Sequence, residues 1–257
     1  MEITSKNNIK VTEAIKLNKK SYRDETGLFI CDSWKMIYEF IENNFFEVEE
    51  IFIHKDFIDK YQEIINILEK RNKEILFIND QIMKKLSDNK SITGICCVFR
   101  KKENKGNFEK DFIIALDRVQ DPTNVGAVLR SAAAFDIPVI ISEDSADIYS
   151  PKTVKASMGG VSFDKIFLCE NIISTLEDYK NRGYNIVSTA LLEDSISIKD
   201  YDINKKSVII IGNEGSGVRD EILSISDEKI IIPMSGNIQS LNASVAAGII
   251  MWEKGRI

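Results

Sequence analysis

The chain has 257 residues, with 34 Lys+Arg, 40 Asp+Glu, one His, a net charge of -6 and 44% hydrophobic residues. That is material for one large domain or two small ones. Four Pro and 13 Gly exclude collagen-like and low-complexity chains, and no apolar run reaches the roughly 18 to 20 residues that span a bilayer. The opening MEITSKNNIKVTEAIKLNKK lacks the apolar stretch of a signal peptide. A cytoplasmic location with no membrane contact is the expectation. Cys31, Cys96, Cys97 and Cys169 form no CxxC pair, so neither a disulfide framework nor a zinc site is expected. With His54 the single histidine, it reads as an ordinary surface or edge residue, and no metal is expected.

Taken in chain order, residues 9–19 show a helical apolar pattern through Val11, Ala14, Ile15 and Leu17. A short strand follows at 27–31, a helix at 33–43, a strand at 48–53, a helix at 57–72 and a strand at 74–78. Residues 79–87 read as a short helix capped by Asn79 or Asp80, and 94–100 as a strand. KKENKGNFEK (101–110) is a polar linker. The chain then alternates: strands at 111–119, 138–142, 165–169, 185–190, 207–212 and 229–233, and helices at 123–135, 151–158, 172–182, 217–224 and 242–254. This alternation predicts an α/β fold with a mainly parallel, helix-covered sheet, whose ligands sit beyond the C-terminal strand ends. The expected division is 1–105 and 106–257.

Charge is uneven. Residues 1–110 are near neutral and 111–257 acidic, yet Lys6, Lys10, Lys16, Lys19, Lys20 and Arg23 crowd the start, and Arg100, Lys101, Lys102, Lys105 and Lys110 the linker. These read either as solvated faces or as phosphate contacts, because phosphates respond to local fields.

Three strand-end loops carry the chemistry. In LDRVQDPTNVGAVLRSAAAF (116–135), a helix is expected to start near Thr123 or Asn124, with Asn124 as its cap or as a ligand-binding amide. Gly126 permits close backbone approach. Arg130 lies six residues on from Asn124, off its stripe, so the two converge only if the arginine reaches back. In IIIGNEGSGV (209–218) an apolar strand enters a loop rich in exposed backbone groups. It matches neither GxxxxGK[ST] nor GxGxxG, and Glu214 disfavours a nucleotide triphosphate. In IIPMSGNIQSLNASVAAGIIMWE (231–253), Ser240 or Asn242 can cap a helix whose small residues (Ala243, Ala246, Ala247, Gly248) allow close packing.

Together these segments resemble the three motifs of the SpoU/TrmH family of RNA 2'-O-ribose methyltransferases of the SPOUT superfamily: Asn124, Gly126 and Arg130; Gly-Asn-Glu-Gly-x-Gly at 212–217; and Ile232 to Gly236 with Ser240 to Ala246. The likeness covers 112–254 in order and spacing, and YSPKTVKASMGG (149–160) matches the middle segment. Residues 1–105 resemble the family's L30e/L7Ae-like RNA-binding domain. Departures are Ile30-Cys31-Asp32-Ser33 where many relatives continue Val-Glu-Gly, with Lys155, Gln239 and Asp136 also differing from frequent family choices.

The resemblance implies a trefoil-knotted catalytic domain, a homodimer, and S-adenosylmethionine as cofactor. It implies catalytic roles for Arg130, Asn124, Glu214, Ser240 and Asn242. Cofactor contacts would come from Ile211, Gly212, Asn213, Gly215, Ile232, Pro233, Met234, Gly236 and Leu241. A guanidinium has only N–H donors and no acceptor, so Arg130 is a poor base, which favours phosphate anchoring and alkoxide stabilisation. The implied activity is 2'-O-methylation of structured RNA, 23S ribosomal RNA first. The alternatives are a tRNA methyltransferase and a non-catalytic RNA-binding or ribosome-assembly factor of the same fold. Lys6, Lys10, Lys16, Lys19, Lys20 and Arg23 are the candidate RNA contacts.

Overall fold

The structure is a computed structural model, and it describes residues 1–87, 93–103, 106, 108–235 and 240–256. In chain order the elements are β1 (Glu2–Ile3), α1 (Ile9–Lys16), α2 (Lys20–Thr26), β2 (Leu28–Cys31), α3 (Trp34–Glu42), β3 (Val48–His54), α4 (Gln62–Lys70), β4 (Ile75–Ile78), α5 (Asp80–Leu86) and β5 (Ile95–Arg100). There follow β6 (Phe112–Leu116), α6 (Pro122–Phe135), β7 (Val139–Ile141), α7 (Pro151–Ser157), β8 (Ile166–Leu168), α8 (Ile172–Asn181), β9 (Asn185–Thr189), β10 (Ile196–Ser197), β11 (Ser207–Ile211), α9 (Asp220–Ile225), β12 (Glu228–Ile231) and α10 (Ala243–Gly255). By contacts the chain divides into two units: Met1–Glu103 with Tyr149–Ser162, and Asn104–Ile148 with Phe163–Ile257.

The first unit holds a five-stranded mixed sheet in the order β1-β4-β3-β5-β2. β1, β3 and β4 run parallel, while β5 is antiparallel to β3 and β2. Asn8 caps α1, accepting from the Lys10 N–H, and Val11 and Ala14 face the core. On one sheet face Val11, Ala14, Leu17, Phe52, Leu76, Ile82 and Val98 form a core cluster. Elsewhere in the unit Phe29, Phe40, Phe46 and Phe99 pack ring against ring. Tyr149 joins that aromatic cluster, 4.9 Å from the Phe29 ring centroid, and its hydroxyl accepts from the Lys102 N–H. This packing brings 149–162 into the first unit, although its flanks belong to the second.

Several elements depart from the sequence reading. The expected helix at 57–72 begins as two short 3-10 turns and becomes α-helical only at Gln62. Helix α2 was not legible in KSYRDET, which has no apolar period; it is closed by Gly27 in the left-handed region. The two-residue strands β1 and β10 are too short to show any period. His54 is neither surface nor edge: it is buried on the internal strand β3, with Nε2 3.0 Å from Asp80 Oδ1 and Nδ1 accepting from the Asp56 N–H.

All four cysteines are free thiols buried in protein. Burial pushes the Cys31 and Cys169 thiols up to about 12, and it pushes Cys96 and Cys97 well above the ordinary value. The thiolate is the reactive form. A maleimide at pH 8 is therefore expected to label the native chain negligibly and the denatured chain at all four positions; fast labelling of native protein counted by mass spectrometry would contradict this burial.

The second unit is built on a seven-stranded sheet in the order β10-β12-β9-β11-β6-β7-β8. Every pairing in it is parallel. The central β6 and β11 are buried at each position, as expected when helices cover both faces. Ile113, Ala115, Ile186, Val208 and Ile210 pack with Ile172, Leu176 and Ile222 of α8 and α9. α6 and α10 pack on each other, and the Phe135 and Trp252 rings meet edge-on at 6.3 Å.

Candidate active site

The C-terminal ends of β9, β11 and β12 open into a cavity of about 420 Å³. Its size is that of small-molecule sites. Ile211 to Val218 form one wall, Ile230 to Ile232 with Met234 a second, and Thr189 to Leu192 a third. Ser240, Leu241, Ala243 and Ala246 close the remaining side.

The second loop takes its shape from Asn213. The Asn213 and Gly217 backbones exchange two hydrogen bonds of 3.0 Å. Between them Asn213 Oδ1 accepts from the Gly215 and Ser216 N–H groups, and Asn213 Nδ2 donates to the Arg118 carbonyl at 2.9 Å. The tight turn pulls the backbone of Gly217 and Val218 onto Gly212, where no Cβ fits.

At the start of α6 the expected cap is corrected. The helix starts at Pro122 and Asp121, not Asn124, caps it: the Asp121 carboxylate accepts from the Thr123 N–H at 2.7 Å. That leaves the Asn124 amide free for the site. Its Nδ2 donates to Glu214 Oε1 at 2.7 Å, and its Oδ1 accepts from Asn242 Nδ2 at 2.8 Å. Asn242 caps α10, its Oδ1 accepting from the Ser244 and Val245 N–H groups. A carboxylate can only accept, so the direction of every bond in Asn242→Asn124→Glu214 is fixed. Asn124 is buried and Glu214 exposed, which presents the carboxylate to a ligand from an immobilised base.

Of the residues expected at the site, Ile211, Gly212, Asn213, Glu214, Gly215, Ile232, Met234, Ser240 and Leu241 line the cavity. Asn124 and Asn242 join it through Glu214. Pro233 does not line it, and Gly236 lies outside the described residues. Arg130 is exposed on α6, away from the cavity lining, and makes no hydrogen bond or ion pair among the described residues.

The six candidate RNA contacts separate. Lys6 and Lys19 are exposed with no partner among the described residues. Lys10 pairs with Glu74 and Glu50, Lys16 with Glu13, and Lys20 with Asp24. Arg23 is buried and donates to the Leu17 carbonyl at 2.7 Å, so its guanidinium belongs to the interior.

Sequence reasoning missed the β9 end, Thr189 to Leu192, which the rule of C-terminal strand ends pointed to. It also missed Asp117. This fully buried carboxylate at the end of β6 accepts from the Arg219 N–H at 2.9 Å and from Arg219 Nε at 2.6 Å. The pair ties the end of the cavity loop to the central sheet, and Arg219 reaches on to Glu143 and Asp144. Asp117→Ala leaves a guanidinium and an N–H without their buried acceptor. It should cost about 3 kcal/mol of stability, read as a lower midpoint in urea; a change below about 0.5 kcal/mol would remove the pair from any structural role.

Fold and site together define a parallel α/β ligand-binding domain whose cavity lies beyond its strand ends, flanked by a directed Asn–Asn–Glu chain. Residues 111–252 match the SpoU rRNA Methylase family, and residues 8–97 match an MRM3-like substrate binding domain. The 23S rRNA (guanosine-2'-O-)-methyltransferase RlmB of Acinetobacter baylyi is 38% identical over 152 residues, 58% of this chain and 61% of that protein. The tRNA (guanosine(18)-2'-O)-methyltransferase of Aquifex aeolicus is 36% identical over 151 residues, 58% of this chain and 70% of that protein. An AdoMet-bound rRNA methyltransferase from Sinorhizobium meliloti superposes with a TM-score of 0.87 at 25% identity, covering 100% of this chain and 97% of that one. The chain belongs to the SpoU methylase family. It is accordingly an RNA methyltransferase of the S-adenosylmethionine-dependent class.

The cavity fits that donor. Its walls offer apolar contact from Leu191, Ile211, Ile232 and Leu241, and Gly212 keeps backbone in place of a side chain at the loop. No helix among the described residues is long and apolar enough to cross a membrane.

Proposed function

We propose that this chain methylates a ribose 2'-hydroxyl of ribosomal RNA, with 1–105 as the RNA-recognition domain and 106–257 as the knotted catalytic domain. The observation that carries the reading is the Asn242→Asn124→Glu214 chain at the cavity loop. Three sequence-distant motifs meet there through bonds whose direction is fixed.

S-adenosylmethionine, when bound, supplies an electrophilic methyl group on a sulfonium. Ile211 to Gly215, Ile232, Met234 and Leu241 would hold it. Glu214, with one oxygen engaged by Asn124, offers the other to a hydroxyl of the substrate ribose. Ser240 stands across the cavity as a further hydrogen-bonding group. Arg130, with no hydrogen bond or ion pair among the described residues, serves the substrate: it anchors a phosphate and stabilises the alkoxide that develops as the hydroxyl attacks. Alignment by these groups contributes several kcal/mol to the rate. Of the six candidate RNA contacts, Lys6 and Lys19 are the ones with no partner among the described residues. A homodimer would cover Ala133 and Ala134 of α6 and Val245 and Trp252 of α10, which are exposed. The buried free thiols suit a reducing cytoplasm.

A second reading, methylation of tRNA, is favoured by the 36% identity to the A. aeolicus enzyme. The deciding experiment incubates the purified chain with labelled S-adenosylmethionine and separated rRNA and tRNA from a strain lacking it, then maps 2'-O-methyl groups by mass spectrometry. Label in 23S rRNA is the expected result. Label confined to tRNA selects the second reading, and label in neither overturns both.

A further inference from the structure

Among the described residues, five non-glycine residues have positive φ: Asn44, Asn72, Arg118, Asp136 and Met158. Asn and Asp tolerate this region through short polar side chains, and Met158 closes the end of α7. Arg118, at φ 54°, has no such reason. Its backbone is held there from both sides: the N–H donates to Ser142 Oγ and the carbonyl accepts from Asn213 Nδ2, each at 2.9 Å. Glycine would take this conformation without steric cost, so the arginine side chain is what the position retains.

That side chain is poorly satisfied. Arg118 Nε is the one buried side-chain polar atom among the described residues without a hydrogen-bond partner. Asp117 Oδ2 lies 3.5 Å away but is already held by Arg219, and the remaining contact is Nη2 to the Gly217 carbonyl at 3.5 Å. The side chain is 30% exposed. It does not line the donor cavity, yet it stands beside Gly217, which does. A guanidinium with most of its five donors unused matches the paired oxygens of a phosphate. Backbone strain kept at the edge of a site is a pointer to function.

We propose that Arg118 is a substrate-binding residue that takes a backbone phosphate of the RNA beside the nucleotide being methylated. This rests on the RNA methyltransferase reading above. Arg118 thereby adds a second phosphate contact to that of Arg130, placed from the end of β6 rather than from α6.

The test compares the native chain with Arg118→Gly, Arg118→Gln and Arg118→Lys. The RNA probe is total RNA from a strain lacking this protein. Arg118→Gly relieves the backbone, so its melting temperature should match or exceed the native one. Its Kd for S-adenosylmethionine should stay within about twofold. Its RNA affinity should fall roughly 10-fold, and the slope of log affinity against log salt should drop by about one. In methylation assays the loss should appear in KM rather than kcat, with Arg118→Lys retaining part of the affinity. Should Arg118→Gly fold poorly, Arg118→Gln removes the charge at similar size and is read the same way. Unchanged RNA affinity and salt slope overturn the proposal, as does loss of S-adenosylmethionine affinity with RNA binding intact, which would assign the guanidinium to the donor's carboxylate. A native chain that neither binds nor methylates RNA overturns the underlying reading; native methylation with unaltered variants overturns this proposal alone.

Discussion

Gly212→Ala is expected to weaken S-adenosylmethionine binding by roughly 10- to 100-fold while the first unit stays folded. Gly212 follows β11, where Asn213 and Gly217 bond to each other and fold the chain back over it. A Cβ at Gly212 would fall inside the backbone of Gly217 and Val218. Backbone atoms cannot rotate aside as a side chain would, so the loop must open. Overpacking of this kind costs about 1–3 kcal/mol, and a loop carrying that cost passes it to the ligand it holds. Calorimetric titration with the donor measures it. Native affinity in the variant would mean that the loop contributes no donor contact.

Arg130→Ala should lower kcat/KM for RNA by roughly 100-fold or more, the scale for losing one preorganised electrostatic contact. It should leave the fold alone. Arg130 is exposed and has no partner among the described residues, so its removal should change stability by less than about 0.5 kcal/mol. Donor affinity should also persist, because the side chain does not line the cavity. Arg130→Lys should remain impaired, since an ammonium lacks the planar fork. Full turnover by Arg130→Ala would remove this residue from the reaction.

These two residues show different degrees of legibility. Gly212 stands in a motif whose glycines and preceding apolar run mark a strand feeding a tight loop, and that is what the structure contains. Arg130 was legible as a residue of interest, but that it has no ion pair among the described residues is a tertiary fact. The central strands β6 and β11 of the second unit were readable because both their faces are covered, which leaves nearly uninterrupted apolar runs. Helix α2 was not, because its stability comes from a left-handed glycine end and the buried Arg23 rather than from a periodic stripe. Likewise the expected cap near Asn124 was displaced by Asp121, since several residues of the turn can cap and only the geometry chooses among them.

Apart from α2, β1 and β10, the order of strands and helices, the three loops and the family likeness were settled by local properties: apolar runs, turn chemistry and motif spacing. Tertiary structure alone decided that Asn124 spans Glu214 and Asn242, that Asp117 grips Arg219, and that Tyr149 packs with the aromatic cluster of the first unit. Each of these joins positions about 90 or more residues apart. Patterns along a chain report which faces are apolar and where it turns; a hydrogen bond between distant side chains depends on how completed elements are laid beside one another.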